Sequence, residues 1–173
     1  MRCSFVSELR YRLRSKSIPG IGDCYPIRRR RADPTDHREI AWHSMVGRDV
    51  MSAFWRAMQA NDWEAAADYL SPECVIDWPC SGERIVGRND FIAVQVQYPT
   101  GTGRWIFDVH RLIADRDTVV SEVTVTDGEQ SARVIAFSEI DGQHVVRQVE
   151  YWPTAYDPPP GREHLTRPTE RIP

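Results

Sequence analysis

The sequence predicts an α+β domain in which helices come first and an antiparallel meander follows, with the helices packed on one face of the sheet. Three observations carry this expectation. Apolar residues recur at helical spacing between Asp49 and Tyr98, and four runs of alternating character fill Arg104 to Trp152. Two of the breaks between those runs are Asp-Gly pairs, Asp127-Gly128 and Asp141-Gly142, a strong hairpin signal.

From Asp49, the residues Val50, Phe54, Ala57 and Met58 share a helical face, with Met51 and Trp55 beside them. Asn61-Asp62 interrupts this helix and caps a second one, in which Trp63, Ala67 and Leu70 align and which Ser71-Pro72 ends. A short strand from Cys74 to Trp78 stops at Pro79 and the turn Ser81-Gly82. Gly87-Arg88-Asn89 opens a third helix, capped by Asn89 and closed by Pro99, with Phe91, Gln95 and Tyr98 on one side. The meander strands are Arg104 to Ala114, Thr118 to Thr126, Gln130 to Ile140 and His144 to Trp152.

At 173 residues, with 41% hydrophobic and 27% charged, the chain suits one domain with a sizeable core plus an appendage. The expected organisation is a basic, disordered extension over 1–44, the domain over 45–157 and a proline-rich tail over 158–173. Before Met45 there are ten Lys/Arg against five Asp/Glu, whereas from Met45 onward there are twelve against twenty. A domain of that acidity is a poor partner for nucleic acid. Besides disorder, the extension, with its run Arg28 to Arg31, has three competing readings: an organelle presequence, a polyanion address, and an over-extended start with Met45 or Met51 as the beginning. No apolar run approaches the roughly 20 residues of a membrane span, so no membrane association is expected.

The only lysine is Lys16, so Schiff-base chemistry on a domain lysine is excluded. Cys3, Cys24, Cys74 and Cys80 lack CxxC spacing or paired histidines, which argues against a zinc site or dithiol centre and for free thiols in a reducing, cytoplasmic setting. The sequence carries no hydrolase elbow, dinucleotide fingerprint, phosphate loop or HExxH motif. Acid/base chemistry without cofactor or metal is what this leaves, beside no chemistry at all.

On the last strand, alternation places Val146, Gln148, Glu150 and Trp152 on one face and Val145, Arg147, Val149 and Tyr151 on the other. Glu150 among apolar neighbours is a candidate pocket acid, its pKa raised by Trp152 and Ile135. Two-residue loops at both Asp-Gly turns would instead put Glu122 opposite Arg133 and Arg133 opposite Glu150, an acid-base-acid row that is either a cross-strand ladder or a catalytic unit. A register slip of one residue would dissolve it. Asp77, just before Trp78-Pro79, either braces a turn or serves as a pocket acid; His110 is either a hydrogen-bonded strand residue or a general base. Phe54, Trp55, Trp78, Tyr98, Trp105 and Trp152 are core by default, but together they would also shape a flat apolar ligand site.

The segments FWRAMQANDWEAAADYL, VIDWP, ERIVGRNDFI and GQHVVRQVEYWPTAYDPPPGRE make the chain, over about Arg48 to Glu163, similar to SnoaL-like proteins of the nuclear transport factor 2-like superfamily. The resemblance implies a cone-shaped fold, three N-terminal helices on a curved antiparallel sheet, a small-molecule ligand and a homodimer. It places the general base of steroid isomerases on Asp77, their oxyanion-binding tyrosine on Phe54, and their protonated aspartate on Ile135 or Ala136. A base without its oxyanion donors argues against steroid isomerisation by that mechanism. The counterparts of the SnoaL-like cyclases' acid/base residue are Asp77, His110 and Glu150. The row Glu122, Arg133, Glu150 is similar to the acid-arginine-acid arrangement of limonene epoxide hydrolases. The expected function is a pocket that binds a small, largely apolar molecule and isomerises, cyclises or hydrates it, or a non-catalytic binding or dimerisation module.

Overall fold

A computed structural model describes residues 37–173. The arginine run and the readings attached to residues 1–36 lie outside the described residues. The elements are α1 (His37–Ala60), α2 (Trp63–Ala67), β1 (Leu70–Trp78), β2 (Glu83–Val86), α3 (Gly87–Gln97), β3 (Ile106–Asp115), β4 (Thr118–Thr126), β5 (Ser131–Asp141) and β6 (His144–Tyr151). Six strands form one sheet in the order β2-β1-β6-β5-β4-β3.

The expected antiparallel sheet is corrected to a mixed one, because β1 runs parallel to β6 while every other neighbouring pair is antiparallel. The meander brings β6 back beside the first-half strand, and the long excursion through α3 and β3–β5 supplies the crossover a parallel pair needs. Strand β2 fills the stretch between the Ser81-Gly82 turn and Gly87, to which the sequence pattern assigns no element. Leu70, expected at the end of a helix, opens β1, and α2 is a single turn of five residues capped by the Asp62 carboxylate on the Ala65 N–H at 2.9 Å. α3 starts at Gly87 rather than behind an Asn89 cap. Gly87 has φ +80°, and a Cβ there would meet the Pro72 carbonyl at 2.9 Å, so only glycine makes this corner.

α1 begins eight residues before Met45, so residues 37–44 belong to it and not to a separate extension. The Ser44 hydroxyl accepts a 2.8 Å bond from the Arg116 N–H in the β3–β4 turn. Further along, Met51, Phe54, Trp55 and Met58 at helical spacing bury against the inner sheet face, where Val119, Val123, Val134, Ala136 and Val145 are also buried. Asn61, at φ +59°, ends α1 and clamps the chain at Trp105. Its amide donates to the Trp105 carbonyl at 2.7 Å, and its carbonyl accepts from the Trp105 N–H at 2.8 Å.

The loop between β4 and β5 has four residues, not two. Asp127 accepts from the backbone N–H groups of Glu129, Gln130 and Gly101 at 3.0, 2.9 and 2.8 Å, and Thr126 pairs with Ser131. The β5–β6 turn pairs Asp141 with His144, and a bulge then sets Glu139 opposite Arg147 while Ile140 faces Val145. The extra residue is Val146. The face assignment of β6 is therefore corrected: Val145 is buried on the inner face along with Gln148 and Glu150, and the alternation resumes only after the bulge.

Candidate active site: a buried carboxyl beneath aromatic rings

The expected row of Glu122, Arg133 and Glu150 does not form. With the observed registers Arg133 lies opposite Thr124, Glu122 opposite Ile135, and Glu150 opposite Ala136. The β4–β5 loop shifts its pairing by an even number of residues and preserves faces; the bulge in β6 adds an odd one and turns Glu150 to the other side. Arg133 still reaches Glu122 diagonally at 2.6 Å, with Arg111 at 3.4 Å from the same carboxylate, so this pair is an outer-face ion network. Ile135 shares that outer face and is no neighbour of Glu150.

Asp77 also stands on the outer face, since Cys74 and Ile76 of β1 are the inward residues. Arg84, its direct partner across β2, grips it at 2.6 and 3.2 Å, and Arg147 of β6 holds it at 3.0 Å. The hydrogen bond from Arg84, ahead of the other causes, keeps its carboxyl below the ordinary carboxylate range. The expectation of a pocket acid at Asp77 is thus corrected to a brace across three strands. His110 is the bulged residue of β3, where pairing jumps from Val109 to Arg111, and its Nε2 lies 2.7 Å from the Thr124 hydroxyl on the exposed face. Neither residue borders the cavity.

The inner face encloses a cavity of about 490 Å³ between α1, α3 and the sheet. Phe54, Trp55, Trp78, Tyr98, Trp152 and Glu150 line it, joined by Trp105, Phe107 and Phe91, with Cys80, Ser81 and Glu83 also bordering it. The Trp55 indole is held by the buried Ser121 hydroxyl at 3.0 Å. Glu150 Oε2 accepts from the indole N–H groups of Trp78 at 2.7 Å and Trp152 at 3.2 Å, and Oε1 accepts from the Gln148 amide at 2.8 Å. Gln148 is fully buried, and its own carbonyl oxygen has no partner among the described residues. Gln148 shares a face with Glu150 by simple strand alternation, but its role as a donor to the carboxyl is not assigned by the sequence pattern.

A carboxyl group has room for about four hydrogen bonds, two at each oxygen. Oε2 is filled by the two indoles, which leaves one position without a donor among the described residues, at Oε1. Burial pushes the Glu150 pKa up to about 7, against the opposing pull of the Trp78 and Trp152 hydrogen bonds. Burial, and after it the Glu150 charge, pushes the nearby Cys74 thiol up to about 12, so it stays a thiol. The arrangement provides one proton acceptor that can be loaded or empty at neutral pH, facing an apolar space of small-molecule size.

The chain belongs to the SnoaL-like domain family, whose model matches residues 51–148. The match stops two residues short of Glu150, so the case for that residue rests on its surroundings. Among solved structures, a candidate ketosteroid isomerase from Kribbella flavida DSM 17836 is similar at 30% identity with a TM-score of 0.69, covering 74% of this chain and 93% of that one. An NTF-2 like protein of unknown function from Burkholderia xenovorans LB400 is similar at 23% identity with a TM-score of 0.62 over 74% and 98% of the two chains. An LEH-like epoxide hydrolase from M. tuberculosis has a TM-score of 0.54 at 20% identity over 64% and 84%, and at those last two identities the likeness is one of fold alone. No curated protein matches the chain. The fold is accordingly NTF2-like, with a curved, unclosed mixed sheet of six strands. Among the described residues no helix is long and apolar enough to cross a membrane.

The raised pKa has a stability consequence. Because the folded value of about 7 lies above the ordinary 4.5, the folded protein binds this proton more tightly than the unfolded chain. That contribution is full below about pH 4.5 and is lost as pH rises through about 7, a change on the order of 3 kcal/mol. Urea denaturation of wild type and Glu150→Gln should therefore show the variant gaining about 2 to 3 kcal/mol relative to wild type between pH 5 and pH 8. A difference that stays flat across that window would place Glu150 in a polar environment instead.

Proposed function

We propose that this protein binds a small, largely apolar molecule in the aromatic cavity and moves a proton on it with Glu150, so that the reaction is an isomerisation or an intramolecular ring closure. The observation that carries this reading is the hydrogen-bonding position at Glu150 Oε1 without a donor among the described residues, on a carboxyl that titrates near neutrality. One such group suffices when a proton leaves one carbon and returns to another. Hydrolysis by two carboxylates around an arginine finds less support, because Glu122 and Arg133 lie across the sheet from the cavity. The oxyanion-binding tyrosine of steroid isomerases still has no counterpart at Phe54. Tyr98, whose hydroxyl has no hydrogen bond to a described residue and whose ring lines the cavity, is the phenol nearest in kind. A non-catalytic binding module remains the competing reading, and the free thiols of Cys74 and Cys80 accord with a cytoplasmic setting.

Deuterium uptake at carbon decides between the two. Incubated in D₂O with a panel of small cyclic ketones, the wild-type protein should exchange α-protons at a rate that rises through about pH 7 as Glu150 loses its proton. Glu150→Gln should lower that rate by roughly 10² to 10⁴ while still binding the ketones. Binding without exchange by the wild type would favour the binding module.

The outer sheet face supports self-association. Phe137 and Tyr151 meet edge to face at 6.1 Å and are each 43% exposed, and Ile113 of β3 is also exposed on that side. An apolar patch on a sheet face that carries no helix among the described residues suits a two-fold isologous homodimer. Sedimentation at micromolar concentration should give a dimer for wild type and a monomer with unchanged circular dichroism for Phe137→Glu; a wild-type monomer would contradict the assignment.

A further inference from the structure

Two carboxylates of the outer face, Asp77 and Glu122, have arginine partners. Asp77 holds Arg84 and Arg147, and Glu122 holds Arg111 and Arg133. Glu150 is the more deeply buried, yet the groups that bond to it are neutral N–H donors. Among the described residues no lysine, arginine or histidine lines its cavity, and the other carboxylate there, Glu83, has the same sign. N–H dipoles stabilise a carboxylate but leave its net charge in place, and a buried net charge is costly until a counter-charge arrives.

The rings around the space have a particular disposition. Trp152 meets Trp78 at 6.2 Å and 71°, Trp78 meets Tyr98 at 6.5 Å and 82°, and Tyr98 meets Trp105 at 5.9 Å and 71°. The rings are turned by 71° to 82° from one another, so the four line the cavity as an edge-to-face series of aromatic walls and not as a stack. The negative potential of an aromatic face attracts cations, and boxes of such rings suit alkylated ammonium groups, whose charge is spread over an apolar shell and which lose little on leaving water.

We propose that the ligand of this cavity is a small organic cation, an alkylated ammonium group on an apolar body, received by Trp78, Tyr98, Trp105 and Trp152 with Glu150 as its counter-charge. This names the ligand class for the site already read as a proton-transfer pocket and rests on that reading for the place of binding. The charged or titratable groups near Glu150 are Cys74 of β1, Cys80 in the turn after it, Glu83 of β2 and Tyr98 after α3. The Cys74 thiol stays neutral, whereas burial sets Glu150 to change its charge through about pH 7. Cation affinity should therefore rise with pH through that range.

Benzyltrimethylammonium and its uncharged isostere 2,2-dimethylpropylbenzene test the proposal on the full chain, read by tryptophan fluorescence and by the indole N–H signals in NMR. At pH 8 the cation should bind at least about tenfold more tightly than the isostere. Its affinity should increase from pH 6 to pH 8 while that of the isostere stays level, a comparison that needs no variant. In Glu150→Gln the two ligands should come within about threefold of each other at pH 8. An isostere that binds as well as the cation, or a cation affinity flat with pH, overturns the proposal. If the isostere alone binds, the ligand class falls and the proton-transfer pocket stands; if neither disturbs the indoles, both readings fall.

Discussion

One bulged residue in the last strand is the constraint on which the site depends. Val145 is buried in the core, and if Val146 were paired regularly instead of bulged, strict alternation would send Glu150 to the outer face with Arg133 and Asp77 and turn Arg147 inward. There it would be one more surface ion pair, worth little. The bulge keeps Val145 inside and still brings Gln148 and Glu150 in beneath Trp78 and Trp152. From that single offset follow the carboxyl's desolvation, its neutral donors and its titration near pH 7.

The two faces of the sheet consequently hold different electrostatic regimes. Outside, arginines meet carboxylates in solvent-screened pairs that tie neighbouring strands together, as Asp77 ties β1 to both β2 and β6. Inside, apolar side chains cover the sheet and the Glu150 carboxyl is stabilised by indole and amide N–H groups. The outer arrangement stabilises pairing and register. The inner one is costly for folding and suited to moving a proton or receiving a cation, the usual conflict between stability and a working site.

Much of this was legible from residue pattern. The α1 core face, the Asp62 cap, strand β4 and the turns around Arg116, Gly128 and Gly142 follow from periodicity and turn chemistry, and Glu150 stands out because alternation sets a carboxylate on one strand face with Trp152, Gln148 and Val146. What was not legible depended on tertiary context. The Asp127 side chain captures three backbone N–H groups, one of them from distant Gly101, and so lengthens a loop that Asp-Gly alone suggested was short. The bulges at Val146 and His110 are features of strand pairing in the curved sheet, and no local signal marks them. Since a strand's faces are exchanged by any odd shift, Asp77 and His110 could be proposed for the cavity and still end outside it.

The central claim is that Glu150 is a carboxyl buried at the cavity wall and held by neutral donors. Its carboxyl carbon can be observed directly by NMR in protein labelled with ¹³C at the glutamate side-chain carboxyl, the resonance assigned by its loss in Glu150→Gln. A titration midpoint near 7 is the result this structure requires. A midpoint at or below the ordinary glutamate value of about 4.5 would mean that the carboxyl is solvated or paired with an arginine, and would contradict the account.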